Sequence, residues 1–391
     1  MCSAGWARAL FFDTRYSGAL LDGDNDGSEH SLGSRGQTGR ISCAGCHVPE
    51  AGFSDTRTLG GALSLAAGWG NRRTPSLLDV GQARLLMWDG ARDSLFGQFF
   101  GPQESPFEMN SSRMFLAKHV YLVYRAEYEA LYGAMPDLSD KSVFPDLAPG
   151  LTGCRALDNH TSPPTCAGKV RGTAGDAAEY DGMTPGAQGA VTQIVVNAGK
   201  ARGAYQRLLT CGPSQVDAWV HGDASALSTQ EKHGAELFVG KAHCDSCHSG
   251  PFFSDQKFDN VGLRGQPVAV AFDTQGDMGA AVGLTTALAD PVNVRSRYSD
   301  GDDGRLPASV DRTSLLGAFR TPTLRCANMR PRFMHNGQLL SLEEVVSFFS
   351  RGGDPGGYPG TNELKPLHLT DVEQRSLTAF LCAGLGPRLT C

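Results

Sequence analysis

The stretch Cys43-Ala44-Gly45-Cys46-His47 decides how the rest of this sequence is interpreted. Two cysteines separated by two residues and followed directly by a histidine have the spacing that attaches a c-type haem through thioether bonds. The histidine then lies beneath the iron as an axial ligand. The pattern recurs as Cys244-Asp245-Ser246-Cys247-His248. The sequence therefore predicts two covalently bound c-type haems, with His47 and His248 as ligands of the haem irons.

Two other uses of paired cysteines have to be weighed against haem attachment. A zinc site would need two further ligands, and a thioredoxin-like redox pair would be expected in a strand–helix–strand setting. Neither alternative requires a histidine directly after the second cysteine, yet both motifs have one. Haem attachment is therefore the better interpretation of both motifs.

Length and composition indicate a globular chain of two ordinary domains. The chain has 391 residues, of which 40% are hydrophobic, and this is enough to bury a core. Its 49 glycines and 21 prolines predict long loops. The net charge of −6 argues against nucleic acid as a partner. No apolar run approaches the length needed to span a bilayer, so we expect no membrane span.

Covalent haem attachment predicts a location outside the cytoplasmic membrane. Residues 1–5 lack the basic start and the apolar segment of a signal peptide, so we expect the sequence to begin after its export signal. The predicted location is the periplasm. Export also permits disulfides among the seven cysteines outside the haem motifs. Cys154 and Cys166, which would close a short loop, are the first candidates for a pair.

The order of helical and loop segments predicts a mainly α fold with two cytochrome c-like haem domains and long irregular loops. We place the domains at residues 1–195 and 196–391. Each contains one glycine-rich insertion, at about 133–188 and about 264–310, and the second insertion has at most one short strand, at 268–272.

Helices are predicted from apolar periodicity and from capping signals. The clearest periodic segments are 4–16, 111–132 and about 191–209. A serine or threonine followed three residues later by glutamate marks the start of a helix. Three such motifs begin at Ser228, Ser341 and Thr370.

Several short segments flank the two haem motifs in a definite order. They include Gly52–Asp55, Arg72–Leu77, Trp88–Gly90 and Pro106–Met109 in the first half, and Gly250–Asp255, Phe319–Arg325, Met334–Gly337 and Leu342–Val346 in the second. This arrangement resembles the bacterial di-haem cytochrome c peroxidase and MauG family. The resemblance covers most of the chain apart from the two insertions.

The resemblance implies different roles for the two haems. Cys43, Cys46 and His47 would hold the peroxidatic haem, where hydrogen peroxide binds. Cys244, Cys247 and His248 would hold the electron-transfer haem. The implied activity is reduction of hydrogen peroxide by electrons from a small donor protein, such as a cytochrome c or a cupredoxin.

Three further residues match catalytic positions of the family. Glu108 corresponds to its distal glutamate, Gln98 to its distal glutamine, and Trp88 to the tryptophan between the haems. Without the resemblance, Glu108 would read as a solvated loop carboxylate and Trp88 as a core residue. Peroxide cleavage requires a group that moves a proton between the two oxygens, and a carboxyl group in an apolar pocket has a raised pKa suited to that task.

The sequence departs from the family at both irons. Resting classical peroxidases have a removable histidine ligand on the loop after the first motif, but residues 48–118 contain no histidine. The first haem should therefore be open, and only His30 or His119 could replace that ligand. The family's sixth ligand at the second haem, Met or Tyr, lies fourteen residues after the position of His335, and here Phe349 stands there. The second haem is then five-coordinate, bound by water, or ligated by another residue such as Met334 or Met329.

The family also binds calcium between its domains, through an asparagine side chain and two carbonyl groups. Arg73 stands at the asparagine position, and the carbonyl segment contains Arg330 and Arg332. Guanidinium groups would repel calcium and could replace its charge, so the sequence disfavours calcium as a third cofactor.

The sequence leaves two alternative functions open. One is a MauG-like enzyme that uses peroxide to oxidise a residue, such as tryptophan, on a partner protein; the missing histidine favours it. The other is a non-enzymatic electron carrier, and the presence of Glu108 with Gln98 and Trp88 argues against it.

Overall fold

The computed structural model describes residues 2–57, 64–146, 170–265 and 276–387. Helices dominate these residues, and the predicted mainly α class is confirmed. Strands β1 (Phe258–Asp259) and β2 (Phe319–Arg320) form one antiparallel ribbon. The helices are α1 (Cys2–Phe12), α2 (Cys43–Cys46), α3 (Leu95–Gln98), α4 (Phe100–Glu104), α5 (Arg113–Val123), α6 (Arg125–Tyr132), α7 (Pro185–Gln206), α8 (Gln215–Val220), α9 (Thr229–Val239), α10 (Ala280–Ala289), α11 (Leu342–Ser350) and α12 (Asp371–Ala379).

Helix α7 is the centre of the larger hydrophobic core. It packs against α1, α3 and α5, and its Val191 and Val195 are fully buried. The helix begins six residues earlier than predicted, because Thr184 caps it and Pro185 fits its first turn. The domain boundary predicted between residues 195 and 196 falls inside this buried helix. The division into two haem domains stays a prediction.

A second core is built from α9, α11 and α12. Buried Phe238, Val346 and Leu377 belong to it. Two of the three predicted capping boxes, at Ser228 and Thr370, are formed in full. The third is formed in part. The Ser341 hydroxyl accepts from the Glu344 amide, and the Glu344 carboxylate accepts from the amide of Leu340 instead of Ser341.

The single helix predicted over 111–132 is wrong. The chain leaves helical geometry at Tyr124, where ψ is 18°, and α5 and α6 are separate helices. The Tyr124 hydroxyl donates to the Asp13 carboxylate at 2.8 Å, which holds the break in place. Leu122, near the end of α5, is 78% exposed.

The second insertion contains more structure than predicted. Helix α10 lies within it, and its Ala280, Leu284 and Ala287 form a third buried cluster with Leu85. An expected loop is therefore a packed helix. The strand predicted at 268–272 and the Cys154–Cys166 pair lie outside the described residues.

Covalent and ionic links join distant parts of the chain. Cys211 and Cys326 form a disulfide. Arg72 donates to both Asp277 and Asp89. Among the described residues, no helix combines the length and apolar character required to cross a bilayer.

Candidate di-haem site

The first haem motif forms one capped helical turn, α2. The Ser42 hydroxyl accepts a hydrogen bond from the Gly45 amide at 3.2 Å, and the His47 amide donates to the Cys43 carbonyl at 2.8 Å. Arg57 donates to the Gly45 carbonyl at 2.7 Å and holds the turn from outside. Within the described part of the chain, the free cysteines are the four of the two haem motifs. The thiols are therefore available for thioether bonds.

The imidazole of His47 is oriented by a backbone carbonyl. Its Nδ1 lies 3.1 Å from the oxygen of Phe53, so a proton on Nδ1 is donated to that oxygen and Nε2 keeps its lone pair for a metal. Burial lowers the pKa of His47 to about 4, so the ring is neutral at pH 7. Phe53 takes a left-handed conformation with φ of 55°, which turns its carbonyl toward the histidine.

The second motif repeats this geometry. The His248 amide donates to the Cys244 carbonyl at 2.8 Å, and His248 Nδ1 lies 2.9 Å from the oxygen of Phe253. Phe253 is also left-handed, with φ of 49°. Burial lowers the pKa of His248. Both histidines are thus presented to a metal through Nε2.

The repetition extends to the segments that close each site. After the first motif, the Ser54 hydroxyl donates to the Thr74 carbonyl at 2.8 Å. After the second, the Ser254 hydroxyl donates to the Thr321 carbonyl at 2.7 Å. Each threonine is the middle residue of an Arg-Thr-Pro triplet. The weak internal similarity in the sequence therefore corresponds to an equivalent local structure around each motif.

Trp88 lies between the two Arg-Thr-Pro segments. Its indole N–H donates to the carbonyl of Arg73 at 2.7 Å, and its own carbonyl accepts from the amide of Arg320 at 2.7 Å. Helix α10 supports this segment, because Gly283 packs directly against Asp89. The tryptophan predicted to lie between the haems therefore contacts a segment belonging to each motif.

Glu108 is half-buried beside the first motif. Partial burial raises the pKa of this carboxyl to about 7, while Arg92 and the Ser105 hydroxyl oppose the rise. The same carboxylate contributes to the raised pKa of the Cys46 thiol, so it lies within electrostatic range of the haem attachment point. This placement favours the distal role of Glu108 over a solvated loop carboxylate, and that role stays a prediction.

Gln98 lies on the Cys43 side of the motif and is held by Arg202. The Arg202 Nη2 donates to Gln98 Oε1 at 2.7 Å, and Nη1 lies 3.9 Å from the Cys43 sulfur. Arg202 is 2% exposed and was missed from sequence. Its spacing from Val195 and Ala198 places it on the buried face of α7. A charged residue on such a face is the sequence feature that could have indicated a buried polar contact. The catalytic roles of Glu108, Gln98 and Trp88 stay predictions.

Comparisons with known proteins agree on one family. The family model described as di-haem cytochrome c peroxidase matches residues 5–148. The methylamine utilization protein MauG of Methylorubrum extorquens is 28% identical over 381 residues, which is 96% of this chain and 75% of that protein. The cytochrome-c peroxidase IdrP1 of Denitromonas iodatirespirans is 29% identical over 387 residues, with 96% and 79% covered. These matches support the di-haem cytochrome c peroxidase and MauG family for this chain. The relatives named here support an oxidoreductase of the di-haem peroxidase type.

The fold agrees with this family. The crystal structure of the diheme peroxidase BthA from Burkholderia thailandensis superposes with a TM-score of 0.67 at 20% identity, covering 99% of this chain and 86% of that one. The residues fit the two c-type haems that the family implies. Each motif offers two free thiols and a neutral histidine with Nε2 available.

Neither histidine considered as a replacement ligand for the first haem is free to act as one. His119 Nε2 lies 2.8 Å from Asp13 Oδ2 within a buried cluster that includes Tyr124. His30 is exposed beside Glu29 on the loop before the motif. This placement agrees with a first haem that has no histidine as its sixth ligand. That the first haem is open stays a prediction.

The residues near the second motif do not replace the missing ligand. Phe349 is half-buried and its ring contacts Phe348. His335 is buried and stacks on Phe319 with ring centroids 3.6 Å apart, so its imidazole packs against an aromatic ring. The Cβ of Met329 packs close to Gly52 of the first motif's loop. The sixth position stays open, with no ligand, water, Met334 and Met329 as the alternatives.

Calcium does not fit the residues at the predicted interdomain position. Arg73 Nη2 donates to the Ser54 hydroxyl at 2.8 Å and to the Asp55 carbonyl at 2.9 Å. Arg330 Nη2 donates to the Thr323 carbonyl at 2.8 Å. Calcium requires six to eight oxygen ligands, and here guanidinium groups already occupy these oxygens. The described residues also contain no cluster of three metal-binding side chains.

Proposed function

We propose that this protein is a periplasmic peroxidase that reduces hydrogen peroxide to water at the first haem motif. Electrons would come from a small redox protein, such as a cytochrome c or cupredoxin, through the second motif. The observation that carries the proposal is the position of the half-buried Glu108 carboxyl beside the Cys43–His47 turn, together with its pKa of about 7.

The chemistry divides between cofactor and protein. When bound, the haems supply the iron that takes up peroxide and the redox centres that pass electrons. The Glu108 carboxylate would accept a proton from one oxygen of peroxide and return it to the other oxygen, which would leave as water. A group with a pKa near 7 suits both halves of this transfer, because it is neither permanently charged nor permanently neutral at neutral pH.

Gln98 has a positioning role in this proposal. Because Arg202 takes its Oε1, the amide is fixed with Nε2 as the remaining donor. A donor held in one orientation stabilises negative charge on a peroxide oxygen at no cost of reorganisation.

Trp88 has the electron-transfer role. Its indole and its backbone contact the two Arg-Thr-Pro segments, one from each motif. A polarizable ring at this place gives electrons arriving from the second motif a route to the first. The two electrons that peroxide reduction needs would pass through it one at a time.

A second candidate function is MauG-like oxidation of a residue on a partner protein. The observation that favours it is the engagement of His119 by Asp13, which with the lack of histidine over 48–118 leaves the first motif without a resting sixth ligand. The relative named MauG points the same way. A purely electron-carrying function is less supported, since it has no use for a half-buried carboxyl with the pKa of Glu108.

A steady-state assay separates these functions. The holoprotein is mixed with hydrogen peroxide and reduced cytochrome c or reduced cupredoxin, and donor oxidation is followed optically. The proposal expects turnover that falls by about a hundredfold or more in Glu108→Gln. The control is Glu50→Gln, because Glu50 is an exposed carboxylate close to the same motif. No turnover with either donor, together with peroxide-dependent modification of a co-purified protein, would favour the MauG-like function.

A further inference from the structure

Three arginines form a buried cationic cluster between the two haem motifs. Arg73 is 2% exposed, and Arg320 and Arg330 are partly buried. Burial lowers the pKa of Arg330 and of Arg73. Repulsion from Arg320 adds to this effect at Arg330, and repulsion from Arg330 and Arg332 adds to it at Arg73, while Asp79 and Asp55 act in the opposite direction. We call Arg73, Arg320 and Arg330 the arginine cluster.

The arginine cluster lacks the carboxylates that normally accompany buried guanidinium groups. Within the described ranges, none of its three members makes an ion pair. The nearby carboxylate of Asp55 is directed to Arg57 at 3.5 Å. Removing a charge from water without a directly paired counter-charge is unfavourable. Asp55 and Asp79 act on Arg73 and Arg330 through space but form no ion pair with them, so a directly bound anion would complete the cluster.

Two donors in the cluster point to where that anion would bind. Arg73 Nη1 and Arg330 Nε are both buried and both without a hydrogen-bond partner. The other contacts of these side chains are to neutral oxygens, such as those of Ser54 and Thr323. Buried donors left unpaired are rare in folded proteins, so these two indicate a missing acceptor.

The position of the cluster limits what the acceptor can be. Arg73 and Arg320 begin the two Arg-Thr-Pro triplets, so each is tied to the loop behind one haem-ligand histidine. The Arg73 amide also donates to the His335 carbonyl, and the charge of Arg330 acts on His248. An anion bound here lies beside both haem motifs.

Burial does not remove the positive charge. It lowers the pKa of each of the three guanidinium groups to about 10, and they remain protonated at pH 7. Carboxylates are the anions that guanidinium groups pair with most favourably, through charge-assisted hydrogen bonds. A c-type haem carries two such carboxylates, its propionates.

We propose that the arginine cluster binds haem propionate carboxylates directly and takes the place of a divalent cation between the haems. Arg73 Nη1 and Arg330 Nε would be the donors that the propionates satisfy. The chain thereby supplies in its own side chains the positive charge that would otherwise require calcium. This inference rests on haem attachment at both motifs and is independent of which substrate is oxidised.

The first test is metal content. The purified holoprotein is dialysed against buffer containing EGTA, and calcium is measured by plasma mass spectrometry. We expect far less than one calcium per chain, and the same EPR and absorption spectra before and after the chelator and after calcium is added back. One tightly held calcium per chain, with spectra that change on its removal, would overturn the proposal.

The second test measures haem reduction potentials by spectroelectrochemical titration. Arg73→Gln and Arg330→Gln each remove a positive charge from beside the propionates, so at least one haem potential should fall in each variant. Arg312→Gln is the matched control, because Arg312 is an exposed arginine outside the cluster. Potentials in both cluster variants equal to those of the control would refute the assignment.

A third variant distinguishes loss of propionate binding from loss of folding. Arg73→Lys keeps the charge but offers a single point donor in place of the planar fork. If Arg73→Gln loses haem, measured as the pyridine haemochrome, Arg73→Lys should retain it. Equal haem loss in both variants, with unchanged potentials in Arg330→Gln, would count against propionate binding.

Discussion

At the scale of single residues, Glu108 determines how activity should depend on pH. Its pKa is raised from 4.5 to about 7 by burial, so the carboxyl is mostly protonated below pH 7 and mostly ionised above it. The proposed reaction needs the ionised form to accept a proton. We therefore expect kcat/KM for peroxide to fall about tenfold for each pH unit below 7. The measurement is a pH–rate profile at saturating donor.

The controls for this profile separate Glu108 from the haem-ligand histidines. Glu50→Gln should keep the inflection near pH 7, while the residual activity of Glu108→Gln should lose it. An inflection that survives in Glu108→Gln would assign the titration to another group.

Arg202 provides the second prediction at this scale. Arg202→Met should lower peroxide turnover about tenfold, because Gln98 Oε1 loses its only charged donor and the amide is free to turn. Haem content should not change. In a double-mutant cycle, Gln98→Leu should cost little more once Arg202 is Met, since both changes remove the same interaction. Additive losses in turnover would show that Arg202 acts independently of Gln98.

Which site residues could be predicted from sequence depends on whether a local pattern specifies them. His47 and His248 follow directly from the spacing of the cysteines, and the structure gives them equivalent acceptors, the carbonyls of Phe53 and Phe253. Arg202 is 159 residues from Cys43 along the chain, so only the folded packing of α7 brings the two together. A charged residue on the buried face of a helix indicates that it has a buried partner, but the sequence does not identify that partner.

At the scale of helices, the crossing of α9 and α12 gives a sharp stability prediction. A Cβ on Gly234 would lie 2.1 Å from the Ser376 carbonyl oxygen and 2.7 Å from Phe380 Cβ, so the two helices would have to separate. Gly234→Ala should lower the free energy of unfolding by about 2 kcal/mol. Guanidinium denaturation of the holoprotein, followed by far-UV circular dichroism, measures this change.

A second glycine serves as the matched control. Gly186 lies in the first turn of α7, and a Cβ there meets nothing within 4 Å. Gly186→Ala should be neutral or stabilise by up to about 1 kcal/mol, because alanine loses less entropy in a helix. Equal destabilisation by both substitutions would mean that the close approach of α9 and α12 has no energetic consequence.

Helix prediction succeeded where capping chemistry is local and failed where tertiary contacts decide. Ser228 and Thr370 form the predicted capping boxes from residues within one turn. The break at Tyr124 depends on Asp13, which is 111 residues away. Helix α10 was missed because glycine and aspartate surround an alanine-rich segment. Burial of α10 against Leu85 and the Trp88 segment stabilises a helix that the neighbouring sequence does not indicate.

For the whole molecule, the arrangement of the two motifs around shared segments could be predicted only in outline. The repeated motifs indicated two related haem sites, and the repeated Ser–Thr hydrogen bonds support that internal similarity. The placement of the boundary at 195/196 did not anticipate that α7 continues through it as a buried helix. Changes in composition indicate loops well. They do not indicate where a long buried helix continues across an expected domain boundary.

The Cys211–Cys326 disulfide gives the last prediction, at the scale of the chain. It joins the segment after α7 to the segment between the Arg-Thr-Pro triplet and His335, and it closes a loop with a sequence separation of 115. In the chain-entropy model, a loop of this size restricts the unfolded chain enough to stabilise the fold by about 5 kcal/mol. Cys211→Ala with Cys326→Ala should therefore lower the apparent melting temperature of the oxidised holoprotein in scanning calorimetry. Haem content should be unaffected, because neither cysteine belongs to a haem motif. An unchanged melting temperature would mean that the ion pair of Arg72 with Asp277 and the packing of α7 already hold these segments together.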